Sequence, residues 1–170
     1  MKKWLSFLGA ITLLGTSTTS LVACNNIPQY NEDELQQLKK ENQIYTNCKE
    51  IKENLEWICS QEKPFNTVDN KYYFVVWRGE KNEEWKIVKF LNNSNLLKID
   101  NFNNRQLEKT DLAYGKDLYI SNNSGFIKYV SNWQRDDGAY FKAVYRWNGD
   151  EQKLPDLIVD NNGNVKVNSE

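Results

Sequence analysis

The sequence has no histidine, and it is sparing with cysteine (3), proline (3), glycine (8) and methionine (1) across 170 residues. Without histidine there is no Ser-His-Asp or Cys-His arrangement, and the commonest general base is missing. No glycine-rich loop of the kind that cradles phosphates is present. Cysteine never occurs as Cys-x-x-Cys, so neither zinc nor thioredoxin chemistry is suggested, and no cofactor is expected. Charge of neither sign dominates: 22 basic against 23 acidic residues give a formal net charge of −1. That balance speaks against a nucleic-acid footprint or a polybasic membrane patch. The first apolar run, "WLSFLGAITLL" (4–14), is too short to span a bilayer.

What is present suits one globular domain with a short extra segment. Apolar residues make up 39 % of the chain and charged residues 26 %, enough of the former to build a core. Lys2 and Lys3 precede the apolar run, and the small polar stretch "GTSTTS" (15–20) follows it. That is the three-part plan of a secretory signal. A single transmembrane helix from Trp4 to Ala23 is the alternative, opposed by the serines and threonines in that window.

The stretch ends Leu21-Val22-Ala23-Cys24. These four residues resemble the bacterial lipobox. The resemblance implies cleavage between Ala23 and Cys24 and a diacylglyceryl thioether on Cys24, so that the mature chain starts at that cysteine. Each buried CH₂ contributes about 0.8 kcal/mol, so two long acyl chains give on the order of 20 kcal/mol, a near-permanent anchor. The whole leader "MKKWLSFLGAITLLGTSTTSLVACN" resembles those of Spiroplasma-type lipoproteins from wall-less bacteria, and "AVYRWNGDEQKLPDLIVDNNGNVKV" (143–167) is similar to a segment of related surface lipoproteins. The resemblance implies a membrane-anchored domain on the outer face of the cell and carries over no catalytic residue. Richness in lysine and asparagine, with Arg78, Arg105, Arg135 and Arg146 as the only arginines, resembles proteins of AT-rich bacterial genomes.

The domain plan that follows is a signal peptide (1–23), a lipidated tether (24–31), a helical segment (32–62) and a β-rich domain (66–168). Asn31 can cap a helix, with Glu32, Asp33 and Glu34 in its favourable first turn. Apolar residues at Leu35, Leu38, Tyr45, Cys48, Ile51, Leu55 and Ile58 keep a helical period, which predicts an amphipathic helix over about 32–60. It is weakest at "NQIYTN" (42–47), where β-branched and Asn residues lower helix propensity. Packing against the β domain is favoured over a coiled-coil stalk, because Asn42 and Lys52 interrupt the seam. In a continuous helix Cys48 and Cys59 would stand about 16 Å apart, beyond disulfide reach, so two buried free thiols are expected unless the helix breaks between them.

From residue 68 the period becomes two. Strands are expected at 71–79, 84–91, 96–100, 116–121, 125–131, 139–147, 156–160 and 164–167, with hairpin turns at "GEKNE", "NNSG" and "NNG". Phe141, Ala143, Tyr145 and Trp147 are expected on one face. The fold class is therefore α+β and mainly antiparallel β: a small sandwich or barrel of about seven to eight short strands with an N-terminal amphipathic helix.

The tryptophans Trp57, Trp77, Trp85, Trp133 and Trp147 stand out in the mature chain. Such side chains stack sugars or anchor protein partners when exposed, and build cores when not; the core is the favoured reading for each. Trp133, in the polar loop "SNWQRDDG" (131–138), is the candidate for exposure and ligand contact. "DNNGN" (160–164) lacks the register of a calcium loop and reads as a turn, as does "RDDGA" (135–139). The sequence thus points to a non-enzymatic, lipid-anchored surface protein that recognises a host protein or glycan. A self-associating coat component and a small two-carboxylate glycan-processing enzyme are the alternatives.

Overall fold

A computed structural model describes residues 29–123 and 129–168. The expected lipobox residues Leu21, Val22, Ala23 and Cys24, and the turn at "NNSG", lie wholly or partly outside the described residues. The described residues form helices α1 (Glu32–Glu41) and α2 (Lys49–Asn54) and ten strands: β1 (Leu55–Trp57), β2 (Tyr72–Trp77), β3 (Lys86–Leu91), β4 (Leu97–Phe102), β5 (Arg105–Leu112), β6 (Gly115–Asn122), β7 (Tyr129–Asn132), β8 (Phe141–Trp147), β9 (Leu157–Val159) and β10 (Val165–Val167). Two four-stranded sheets, ordered β1-β8-β2-β3 and β4-β5-β6-β7, are accompanied by the β9–β10 hairpin, and every pairing is antiparallel. Among the described residues no helix is long and apolar enough to cross a membrane.

Strand β2 explains the architecture. "YYFVVW" is apolar at every position, which a strand with one wet face would not be. Tyr73, Val75 and Trp77 enter a core shared with Leu107, Leu118 and Ile120 of the second sheet. Phe74 and Val76 point the other way, into a core with Ile44, Ile51, Leu157 and Val165. The first sheet is therefore covered on both faces, by the second sheet on one side and by the α1–α2 segment and the terminal hairpin on the other.

The N-terminal helix is shorter than expected. Asn31 closes a capping box with Glu34, as its position predicts, but α1 stops at Glu41. From Gln43 to Thr46 the chain alternates: Ile44 and Thr46 are buried and Tyr45 faces out. The period of two takes over because Ile44 gains more by entering the second core than a helix would gain from it, and Thr46 is buried two positions on. Leu55–Trp57, expected as helix, pairs with Tyr145–Trp147 of β8 instead. Cys48 is half-buried and Cys59 buried, and both are free thiols.

Strand β8 departs from simple alternation. Val76 pairs with Ala143 and Trp77 with Phe141, so Lys142 is the extra residue of a bulge. Phe141 accordingly joins the first core while Tyr145 and Trp147 join the second, and the expected single face for these residues is corrected by one inserted position.

Candidate functional site

Trp133, the candidate for exposure among the tryptophans, is only 8 % exposed. Its loop forms one turn of 3₁₀ helix (Trp133–Arg135). Asp136 holds the loop by accepting the Ser131 hydroxyl (2.8 Å) and the backbone N–H groups of Gly138, Tyr140 and Phe141 (2.9, 3.1 and 3.0 Å). The carboxylate of Asp117 accepts the Gln134 N–H and the Asn132 amide, both at 2.8 Å. These bonds turn the indole inward, edge-on to Phe65 at a centroid distance of 5.4 Å. Trp77 and Trp147 are buried as well, and Trp85 carries the Arg78 guanidinium over its ring at 4.2 Å.

Other conspicuous polar groups serve the scaffold. Lys109 is fully buried, and its ammonium donates to Asn92 Oδ1 (2.5 Å) and the Thr67 carbonyl (3.2 Å), tying β5 to the loop before β2. Burial pulls its pKa down. Asp117 is buried with Oδ1 unpaired, and burial raises its carboxyl to about 6 against the bonds from Gln134 and Asn132. Asp160, in "DNNGN", accepts the N–H groups of Asn162 and Asn164 and pairs with Lys166 at 3.3 Å, so its oxygens organise the hairpin turn.

Glu56 anchors the N-terminal segment. Its carboxylate receives Lys39 (2.5 Å) from α1, Arg146 (2.7 Å) from β8 and Asn148 (3.0 Å). Burial alone would raise this carboxyl, but the three donors outweigh it and lower it to about 2. Lys39 also reaches Glu62 at 2.7 Å. These ion pairs fix α1, which has no fully buried residue of its own.

A prominent concavity lies where the α1–α2 linker crosses the first sheet. It is an open groove of about 570 Å³, within the range of ligand sites. It is lined by Gln43, Ile44 and Tyr45 of the linker, by Val165, Lys166 and Val167 of β10, and by Ala143 and Tyr145 of β8. Tyr145 donates its hydroxyl to the Asn42 carbonyl at 3.2 Å, fixing the linker at its start. Tyr45 is 89 % exposed, more than any other large apolar side chain among the described residues. Its neighbours on both sides are buried, so the ring is held in water by a fixed backbone. The β8 bulge brings Lys142 to the groove, and it has no carboxylate partner among the described residues. Gly163 closes the hairpin beside it with φ +80°; a Cβ there would stand 2.9 Å from Trp85 Cγ and 3.0 Å from Lys142 Cγ.

Sequence reasoning missed this site because Tyr45 fits the helical period of its flanks. The signal that could have found it is the local Ile-Tyr-Thr alternation inside "NQIYTN". Trp133 lies elsewhere, beside a smaller cleft of about 240 Å³ near Tyr30 and Cys59.

No protein-family model and no solved structure matches the chain. Over 98 residues, 57 % of its length, the chain is 32 % identical to the uncharacterized protein ORF1 of Spiroplasma virus SpV1-R8A2 B. The matched stretch is 9 % of that viral protein, so the chain shares a segment with a protein from a virus of a mollicute genus.

Proposed function

We propose that this protein is a lipid-anchored surface protein of a wall-less bacterium, and that its β domain recognises a ligand outside the cell. The anchoring half rests on the lipobox at Leu21–Cys24. The shared segment with a Spiroplasma virus protein fits a mollicute-related origin. The recognition half is carried by one observation: Tyr45, held in solvent on a rigid linker, stands over an amphipathic groove. A tyrosine offers large contact area with a polar tip at little conformational cost, which is why such residues concentrate at recognition sites.

Metabolic labelling with palmitate and protease treatment of intact cells test the anchor. The native chain takes the label and its domain is removed by external protease. Cys24→Ser loses the label and leaves the membrane fraction. Label on Cys24→Ser, or a domain protected from external protease, contradicts the reading.

A further inference from the structure

We infer that the groove at Tyr45 takes an extended peptide with an acidic side chain, added as a third strand to the free edge of β10. The inference rests on the recognition role proposed above and names its ligand class. Three features carry it.

The first is the edge itself. Among the described residues the terminal sheet holds β9 and β10 alone. Asn164 accepts the Asp160 N–H, and Asn168 donates to the Asp156 carbonyl. Lys166 pairs with Ile158, midway between those two contacts. In an antiparallel ladder, bonded and non-bonded pairs alternate, so Lys166 and Ile158 form the bonded pair. Val165 and Val167 then direct their N–H and C=O groups away from β9, and among the described residues they have no other backbone partner. The edge from Val165 to Val167 lines the groove. Two donor–acceptor pairs facing a groove match an extended peptide, the geometry of strand addition.

The second is the linker that also lines the groove. From Gln43 to Thr46 it alternates in burial and is held by buried Ile44 and Thr46. A strand on β10 would present alternate side chains towards Ala143 and Tyr145 and the others outward, within reach of the Tyr45 ring. The third is charge. Lys166 is occupied by Asp160 at 3.3 Å, whereas Lys142 has no carboxylate partner among the described residues. A bulge is a device for re-aiming one side chain, and here it presents an unpaired cation to the groove. An acidic residue of the peptide completes that pair.

The test uses the full chain in detergent, panned against a phage-displayed library of random peptides and probed in parallel on a glycan array. Selected peptides are synthesised with single backbone N-methyl groups, which remove one donor without touching the protein. Methylation at alternate positions should weaken binding about tenfold and at the intervening positions hardly at all, the signature of one strand edge. Tyr45→Ala and Lys142→Glu should each weaken it by about tenfold with an unchanged melting curve, whereas Leu96→Ala, at an exposed apolar site elsewhere, should not. Peptides whose affinity ignores the position of methylation, or that lack acidic residues, overturn the inference. Glycans that bind with Tyr45 dependence, when no peptide is selected, overturn it and leave the recognition role standing. Failure of both classes to bind through Tyr45 removes both.

Discussion

Replacing Glu56 by Gln removes the charge shared by three donors, Lys39 of α1 and Arg146 and Asn148 at the end of β8, and its effect can be worked from the structure. The side chain is 26 % exposed and its oxygens accept from Lys39, Arg146 and Asn148. Its carboxyl lies at about 2 in the fold against an ordinary 4.5. A depressed carboxyl stabilises the fold above its unfolded pKa, and that contribution disappears as pH falls through the folded one. The difference is worth about 3 kcal/mol at pH 7 and about 1.4 kcal/mol at pH 3. With a urea slope of roughly 2 kcal/mol per M, Glu56→Gln should lower the unfolding midpoint by about 1.5 M at neutral pH. Urea titration followed by tryptophan fluorescence at pH 7 and pH 3 reads both numbers, since Trp57 and Trp147 sit beside the network. A loss under about 1 kcal/mol at pH 7, or an equal loss at both pH values, refutes the reasoning.

Asp117 behaves in the opposite sense. Its carboxyl is raised to about 6 from 3.8, so the fold loses stability as pH rises through that window, by about 3 kcal/mol. The stability of Asp117→Asn relative to the native chain should therefore rise by about 2.4 kcal/mol from pH 4 to pH 7, the rest of the loss lying below pH 4, and an unchanged offset in urea titrations at the two values would contradict it. Trp133→Ala should cost about 3–5 kcal/mol, as emptying a core site does, while Tyr45→Ala should stay within about 0.5 kcal/mol; thermal melts of both variants test the exchange of roles between these aromatics. Gly163→Ala places a Cβ against Trp85 and Lys142 at φ +80°, and should cost about 2 kcal/mol and weaken any ligand of the groove; a neutral effect on both would remove the hairpin from the site.

The strands that alternate or run apolar were legible in the sequence, as was the capping of α1 by Asn31. The missed elements share a cause. Strand β5 reads "RQLEKTDL", too polar for a buried strand, yet Lys109 is fully buried because Asn92 and Thr67 supply acceptors from distant segments. Its leading turn uses Asn103 at φ 51° where glycine would have advertised a hairpin. Strand β1 hides at the end of a helical period because Leu55 suits either structure, and only β8 decides. Trp133 was misplaced because the polar residues around it bond one another and the backbone, which leaves the indole as the one group that gains from burial. Tyr45 went unnoticed for the converse reason, an aromatic on a helical period that the fold leaves in water.

The most direct test of the central claim is a binding isotherm of the labelled full chain on host-cell surfaces, run beside Tyr45→Ala and the control Leu96→Ala. The account predicts saturable binding at micromolar concentration or below, weakened about tenfold by Tyr45→Ala and unchanged by Leu96→Ala. Absence of saturation, or equal binding by all three chains, would contradict a recognition site at this groove.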